Sequence, residues 1–173
     1  MGKPKFKWNE IPLTKDVDPE DINFSIRDLT LKKPFLVNIG NPHIIFFDNE
    51  IEKYDVESFG SLIENDSLFP EKINVSFAKL KSDNHIVLNV WERGAGKTNA
   101  CGTAACATAV AGVEMGLIKN KVTVTLPGGD LEIYYKSNDN IIMTGPTEIN
   151  FTDKYKLWEI KILKKILKYT SIT

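Results

Sequence analysis

The segment from Arg93 to Gly112, RGAGKTNACGTAACATAVAG, combines two cysteines with four glycines and seven alanines and holds no acidic residue. Its glycines allow a close approach of the backbone, or a positive φ, ahead of a helix of small residues. The first N–H groups of such a helix have no partner inside it, and the helix dipole favours an anion there. Cys101 lies at this end, where the same field favours thiolate over thiol. The spacing therefore predicts an anion site and an activatable thiol within one turn.

Other interpretations of these residues stay open at this stage. Cys106 follows five residues later, about 140° around the helix, so it cannot share the position of Cys101 and is predicted to be core. Cysteine often acts as a small buried hydrophobic residue, so spacing alone does not decide whether Cys101 is a reactive thiol or a packing residue. The glycines could also hold a phosphate, although no Lys-Ser/Thr pair follows them. With only His43 and His85 as histidines, no metal site is predicted.

Polar residues upstream of the glycines are candidates for binding. Glu92 and Arg93 follow the apolar run IVLNVW and open the glycine loop, which is a rigid support for a binding residue. Neighbours at a strand end face opposite ways, so only one needs to enter a pocket, and either could be a plain surface charge. Asn41 in GNPH and Asn74 in INVSF lie in β-type surroundings, where asparagine is depleted unless it caps, turns or binds. His43 alone is more typical of packing than of catalysis.

Strands flank one clear helix along the chain. The pattern predicts β-type runs within 33–47 around a turn at 40–42, followed by a helix over 55–66 capped by Asp55. Two strands, in EKINVSFAKL and HIVLNVWER, are predicted to be joined by a hairpin turn at 82–84. After the helix over 102–116, the segments KVTVTL, LEIYYK and IIMTG are predicted to form an antiparallel meander.

The helix over 102–116 determines the predicted fold class. It reads GTAACATAVAGVEMG, carries a single charge at Glu114, and is predicted to end at Gly116 as a C-cap. A helix that is apolar all round must be enclosed. We therefore predict an α+β fold in which antiparallel strands form a barrel around a central small-residue helix. An ordinary buried helix packed on one sheet is the alternative.

The bulk composition limits the class of protein. The chain has 173 residues, enough for one domain with a sizeable core, with 42% hydrophobic and 26% charged residues. A formal net charge of −1 gives no basic footprint, so no nucleic-acid partner is expected. No apolar run approaches the ~20 residues of a membrane span, and the opening MGKPKFKWNE has no signal-peptide core. A reduced, cytoplasmic protein is the expectation.

Several segments together resemble one enzyme family. VWERGAGKTNACGTAACATAVAG resembles the second cysteine motif of diaminopimelate epimerase. NIGNPHIIFF, INVSFAKL, VTVTLPGGDLEI and IIMTGP resemble its neighbouring segments in the same order, and MGKPKFKWNEIPL looks like the stretch that opens the second half of that enzyme. The resemblance covers nearly the whole chain to about Phe151. It implies the C-terminal domain of an enzyme that interconverts LL- and meso-diaminopimelate in lysine and peptidoglycan precursor synthesis.

The resemblance implies cofactor-independent chemistry with two cysteines. Cys101 would be one of them, and Gly102 and Thr103 would hold the carboxylate at the reacting carbon. One thiolate removes the α-proton while a thiol on the opposite face returns one, without pyridoxal phosphate or another cofactor. Sulfur suits this task because its acidity is easily brought near neutrality.

The resemblance also implies roles for the other polar candidates. Asn41, Asn74, Glu92 and Arg93 would bind the distal amino-acid end of the substrate. His43 and Glu92 would adjust the acidity of the thiols. Glu92 and Arg93, together with Asn41 and Asn74, favour a dibasic, diacidic substrate such as diaminopimelate. A proline-racemase-like or phenazine-pathway isomerase of the same fold remains the alternative. A non-catalytic binding module of the same fold is a third hypothesis.

The family has two pseudo-symmetric halves, and the segment that carries its first cysteine is not among these residues. The resemblance therefore implies half a site, an N-terminal half as the missing partner, and no activity for this chain alone. We assign 1–151 to the epimerase-like domain and 152–173 to an amphipathic tail.

The tail pattern places Trp158, Ile162 and Ile166 at helical spacing with Leu163 and Leu167 beside them. The alternation of Trp158, Ile160 and Ile162 leaves a strand open. A helix that docks on exposed core or on a second chain is expected, and a membrane-surface helix is the alternative. Exposed inner surfaces and this tail predict a homo-oligomer.

Overall fold

The computed structural model describes residues 1–149 and 151–154. The helix predicted through Trp158 and Ile162 lies outside the described residues, and the part of the predicted tail that is described, 152–154, has no regular structure.

Ten strands and two α-helices form in the described residues. The strands are β1 (Asn23–Ile26), β2 (Leu29–Lys32), β3 (Phe35–Asn38), β4 (Pro42–Phe47), β5 (Asn74–Ser82), β6 (His85–Glu92), β7 (Gly96–Thr98), β8 (Lys121–Leu126), β9 (Gly129–Tyr134) and β10 (Ile142–Thr144). The helices are α1 (Val56–Glu64) and α2 (Gly102–Glu114). Strands β1 and β2 form a separate hairpin, and the other eight form one sheet in the order β10-β9-β8-β6-β5-β4-β3, with β7 paired to β6.

The sheet is mixed, and the prediction of antiparallel strands throughout is wrong at two places. Strand β4 pairs with β5 in parallel, with His43 opposite Asn74. Strand β6 pairs with β8 in parallel, with His85 opposite Thr123. Parallel neighbours need a crossover connection, and α1 and α2 supply one each. The remaining pairings are antiparallel, and the β8–β9–β10 meander is confirmed.

The sheet curls around one side of α2 without closing on it. Helix α2 contacts β3, β4, β5, β8 and β9. In the described part of the chain, β3 and β10 are end strands of the sheet and do not pair with each other. The α+β class is confirmed as a curled half-barrel with two helices, but the predicted barrel around the central helix is not. The sheet stays open because these end strands do not pair, and α1 packs on its opposite face, where Val56, Phe59 and Ile63 belong to a second apolar core.

Helix α2 is buried along nearly its whole length. All nine residues from Ala104 to Gly112 are buried, as expected for a helix that is apolar all round. The helix ends at Glu114, two residues before the predicted end, and Gly116 follows with the left-handed φ of +69° that commonly terminates a helix. Neither α2 nor α1, the two α-helices of 1–149 and 151–154, is long and apolar enough to cross a bilayer.

Helix α1 begins as predicted. The carboxylate of Asp55 accepts a hydrogen bond from the N–H of Ser58 at 3.2 Å, which caps the first turn. The helix ends at Glu64, and its residues Gly60 and Glu64, four apart, lie on the same face. That face meets Trp91 of β6, so α1 also supports the strand that leads into the glycine loop.

Candidate active site

Cys101 occupies the N-cap position of α2. Its backbone is extended, with φ −146° and ψ 104°, and its Sγ lies 3.4 Å from the N–H of Ala104, from which it accepts a hydrogen bond. A sulfur therefore has the role that a serine or aspartate oxygen usually has at a helix start. The side chain is nearly buried, with 6% of its surface exposed. The predicted position of Cys101 at the helix N-terminus is confirmed.

The thiol of Cys101 meets a carboxylate. Its Sγ lies 3.1 Å from Oε2 of Glu92, so the S–H donates to that oxygen. The other oxygen of Glu92 accepts from Oγ1 of Thr98 at 2.6 Å. Strand β7 folds back on β6, pairing Gly96 with Glu92, and this brings Thr98 beside the carboxylate. Both oxygens of Glu92 are thereby fixed.

The pKa of the Cys101 thiol is raised, contrary to the expectation from the helix dipole alone. Burial raises this pKa most, and the carboxylate of Glu92 raises it further. Hydrogen bonds from Thr103 and from the N–H of Ala104 stabilise the thiolate but do not cancel these two effects. In this structure Cys101 is therefore a thiol at neutral pH, and losing its proton requires an acceptor beside it.

A chain of hydrogen bonds runs from His43 to Cys101. The ring Nε2 of His43 lies 3.0 Å from Oδ1 of Asn41, and Nδ2 of Asn41 donates to Oγ1 of Thr103 at 3.3 Å. Since the amide oxygen can only accept, Nε2 of His43 carries the proton. Oγ1 of Thr103 lies 3.4 Å from Sγ of Cys101, and because the thiol proton goes to the carboxylate, the hydroxyl donates to sulfur.

His43 is neutral at neutral pH and is connected to the thiol through hydrogen bonds of other residues. Burial, with a smaller effect from the positive charge of Arg93, lowers the pKa of His43 to about 3. Its ring Nδ1 is buried and has no hydrogen-bond partner among the described residues. Among the described residues, the side-chain hydrogen bonds of Asn41 and Thr103 connect the ring of His43 to Cys101.

Asn74 and Arg93 lie together, but their contacts differ. Nδ2 of Asn74 donates to the carbonyl of Pro42 at 2.8 Å, and its Oδ1 accepts from the backbone N–H of Arg93 at 3.0 Å. Asn74 thus connects the start of β4 to the glycine loop. The guanidinium of Arg93 donates to the carbonyl of Glu71 at 2.9 Å and forms no salt bridge within the described ranges. Its remaining donors could bind a carboxylate.

Gly102 and Thr103 bring their N–H groups to the helix end. These two amides have no intrahelical acceptor, so they suit an anion. A Cβ on Gly102 would lie 3.0 Å from Sδ and 3.3 Å from Cε of Met143, which shows that β10 covers this residue closely. The sequence motif IIMTGP was noticed for its family resemblance, but it gave Met143 no role.

Three residues at or near the site were missed from the sequence. Thr98 could have been found, since the glycines at 94 and 96 allow the chain to turn back on its own strand. Met143 and Glu64 are far from Cys101 in the sequence, and nothing in their local pattern indicates contact with the site. Predicting them requires the pairing of β8, β9 and β10 and the packing of α1.

The residues around Cys101 are distinguished neither by a large cavity nor by a cluster of metal ligands among the described residues. Two cavities of about 490 Å³ lie elsewhere, one lined by residues such as Thr14, Asp18 and Phe24, and the other by residues such as Arg27 and Phe59. Within residues 1–149 and 151–154, no group of three His, Cys, Asp or Glu side chains could hold a metal ion. The chemistry available is that of a thiol, a carboxylate and N–H donors.

These groups are suited to acid–base chemistry by a thiol. A thiol bonded to a carboxylate can give up and regain a proton, and helix N–H groups beside it can stabilise a carboxylate on a carbon acid.

Comparison with known proteins assigns the family. The family model for diaminopimelate epimerase matches residues 35–150. The diaminopimelate epimerase of Erythrobacter litoralis (strain HTCC2594) is 47% identical over 151 residues, which cover 87% of this chain and 55% of that protein. The one of Halothermothrix orenii (strain H 168 / OCM 544 / DSM 9562) is 44% identical over 161 residues, covering 92% and 56%. The chain belongs to the diaminopimelate epimerase family. It spans about half the length of the curated relatives it matches.

Among solved structures, the chain is similar to a phenazine biosynthesis protein of the PhzF family from Enterococcus faecalis. The TM-score is 0.43 and the sequence identity 18%, over 57% of this chain and 35% of that one. The likeness is partial, and the family assignment depends on the sequence relatives.

The neutral, buried His43 should make stability depend on pH. Its pKa is depressed in the folded state, so its contribution is present above pH 6.5 and is lost as pH falls toward about 3. Between pH 6 and 5, the unfolding free energy should fall with a slope approaching about 1.4 kcal/mol per pH unit from this group. Urea unfolding of the wild type and of His43→Gln at several pH values measures the unfolding free energy. The variant should lose this dependence on pH. His85→Gln, at a half-buried histidine, is the control and should keep it. Equal slopes in the wild type and His43→Gln would contradict the assignment.

The two cysteines should differ in reactivity toward a small alkylating agent. Cys106 is completely buried and its pKa is raised to about 11, whereas Cys101 is slightly exposed. Peptide mapping should find Cys101 modified first. Glu92→Gln removes a neighbouring negative charge, so the pH midpoint for Cys101 should move down by roughly one unit. Modification of Cys106 first, or an upward shift in Glu92→Gln, would contradict the site.

Proposed function

We propose that this chain is the half of a diaminopimelate epimerase that carries one of its two proton-transferring cysteines, Cys101. Membership of the family supports the substrate class. The observation that carries the proposal is the 3.1 Å contact between Sγ of Cys101 and Oε2 of Glu92. A thiol with a raised pKa needs a proton acceptor beside it to act as a base, and Glu92 is that acceptor.

The proposed step is a pair of proton transfers. The S–H bond of Cys101 breaks and its proton passes to Oε2 of Glu92, which leaves the electron pair on sulfur. The thiolate then takes the α-proton of the substrate, and the C–H electron pair stays on carbon and spreads into the adjacent carboxylate. The N–H groups of Gly102 and Thr103 stabilise the charge that develops there. In the reverse direction, Cys101 returns a proton to carbon.

The hydroxyl of Thr103 assists this step. Donation from Oγ1 of Thr103 to Sγ, held in direction by Asn41 and His43, stabilises the thiolate once its proton has left. His43 therefore adjusts the acidity of Cys101 indirectly, and Glu92 adjusts it by contact.

Binding of the distal end of the substrate falls to the other polar residues. Arg93 has guanidinium donors beyond the one used by Glu71, which suits a carboxylate. Asn41 and Glu92 are the other two residues that we propose to bind this distal end. Asn74, which is 3% exposed and bonded to two backbone groups, would contribute mainly by fixing the backbone of Arg93 and would offer the substrate one remaining amide hydrogen.

The second proton-transferring group would come from the other half of the enzyme. The chain spans about half the length of its relatives, and its described residues hold one cysteine at a helix start, since Cys106 is internal to α2. Two thiols on opposite faces of the α-carbon need no cofactor. We therefore propose that this chain alone does not epimerise diaminopimelate and that the matching half is its partner. Association with further copies of the chain stays a prediction.

Solvent exchange tests the proposal. Fused behind the first half of the Erythrobacter litoralis relative, this chain should incorporate deuterium from heavy water at the α-carbon of diaminopimelate, as followed by NMR. Cys101→Ala should abolish exchange, and the matched variant Cys106→Ala should retain it because Cys106 only packs in α2. The unfused chain should show no enzymatic exchange. Rapid exchange by the unfused chain would contradict the half-site, and exchange by a folded Cys101→Ala fusion would contradict the role of Cys101.

A further inference from the structure

The last residue of α1 is a buried carboxylate with no part in the chemistry described above. Glu64 is 4% exposed. Its Oε2 accepts from the indole Nε1 of Trp91 at 2.7 Å, and its Oε1 accepts from the backbone N–H of Gly94 at 2.9 Å. Lys72 places its ammonium 3.4 Å from the same Oε1. The two hydrogen-bond donors lie on either side of Glu92 and Arg93 in the chain.

Helix α1 also fixes the ring of Trp91. A Cβ on Gly60 would lie 2.4 Å from Cγ of Trp91, so the side chain of Trp91 packs directly on the helix backbone at this position. Gly60 and Glu64 share one face of α1, and together they hold the packing surface and the N–H of the same indole. Gly94 has a φ of +76°, where the chain turns out of β6. The turn that carries Glu92 and Arg93 is thus held at both ends by α1.

A carboxylate suits this position better than an amide. The two donors approach different oxygens, and glutamine would present an N–H₂ group to one of them. Leaving a buried donor without an acceptor is unfavourable, and the turn could avoid this cost by moving. Burial raises the pKa of Glu64, but the hydrogen bonds from Trp91 and Gly94 and the ammonium of Lys72 outweigh it and lower the pKa overall.

We propose that Glu64 is a positioning residue that, by holding Trp91 and Gly94, keeps the carboxylate of Glu92 against the thiol of Cys101. This inference deepens the proposed function and rests on it, since the contact that Glu64 maintains is the one that moves the proton. Glu64 does not touch the reacting atoms, and its effect on them passes through Glu92.

The pH profile of Cys101 alkylation tests this proposal without requiring catalysis. Among the described titratable groups, Glu92 is the one whose charge acts on the pKa of Cys101. If Glu64→Gln lets Glu92 recede, the alkylation midpoint should shift down by a part of the roughly one pH unit expected for Glu92→Gln. Cys106 should remain protected, which separates this effect from general loosening. The control Glu57→Gln makes the same charge change on an exposed position of α1 and should leave the midpoint unchanged.

A double-mutant cycle shows whether Glu64 acts through Glu92. In the Glu92→Gln background, Glu64→Gln should add no further shift, because the carboxylate that it positions is already gone. An unchanged midpoint in Glu64→Gln, an equal shift in both backgrounds, or loss of Cys106 protection would each overturn the proposal. Failure of the exchange assay with these shifts intact would count against the proposed function alone.

A second variant covers the case in which Glu64→Gln does not fold. Trp91→Phe keeps an aromatic ring on Gly60 but removes the N–H that Oε2 of Glu64 accepts. The midpoint for Cys101 should again move down, by less than in Glu92→Gln, with Cys106 protected. A folded Trp91→Phe with the wild-type midpoint would overturn the proposal.

Discussion

The hydrogen bond from the thiol of Cys101 to the carboxylate of Glu92 constrains the rest of the site. A nearly buried thiol and a carboxylate, 3.1 Å apart, can share one proton but cannot both be charged without repulsion. The position of each of these two groups is fixed by further contacts. Cys101 is fixed as the N-cap of α2, and Glu92 is fixed by Thr98 across the β6–β7 pairing. The two groups are therefore already placed at hydrogen-bonding distance in the described structure.

Residues on both faces of the sheet help to position Cys101 and Glu92. On the α2 face, His43 orients Asn41, which orients the hydroxyl of Thr103 toward sulfur. On the α1 face, Glu64 holds the turn after β6 through Trp91 and Gly94. The parallel crossovers make this arrangement possible, because they put one helix on each face beside the strands that end at the site. A fully antiparallel sheet would have no need of them.

The helix and its cysteine were predictable because they depend on local chemistry. A run of small apolar residues after glycines specifies both the burial of α2 and the position of Cys101. The direction of the pKa shift of Cys101 was not predictable, because it depends on burial and on Glu92, nine residues away in sequence. The parallel pairings, the covering of Gly102 by Met143 and the contacts of Glu64 were also beyond local patterns, since each joins segments far apart in the chain. Asn74 was predicted to cap, turn or bind because asparagine is depleted in strands. Its two backbone partners could not be predicted, since they depend on the pairing of β4 and β5.

Infrared spectroscopy of the S–H stretch measures the central contact most directly. In a Cys106→Ala background, Cys101 supplies the single thiol of the chain. A thiol that donates to a carboxylate should give a band that is broader and lower in frequency than that of a free thiol. The band should move up when Glu92 is replaced by glutamine, which is a weaker acceptor. A band at the frequency of a free thiol, unchanged by Glu92→Gln, would contradict the account.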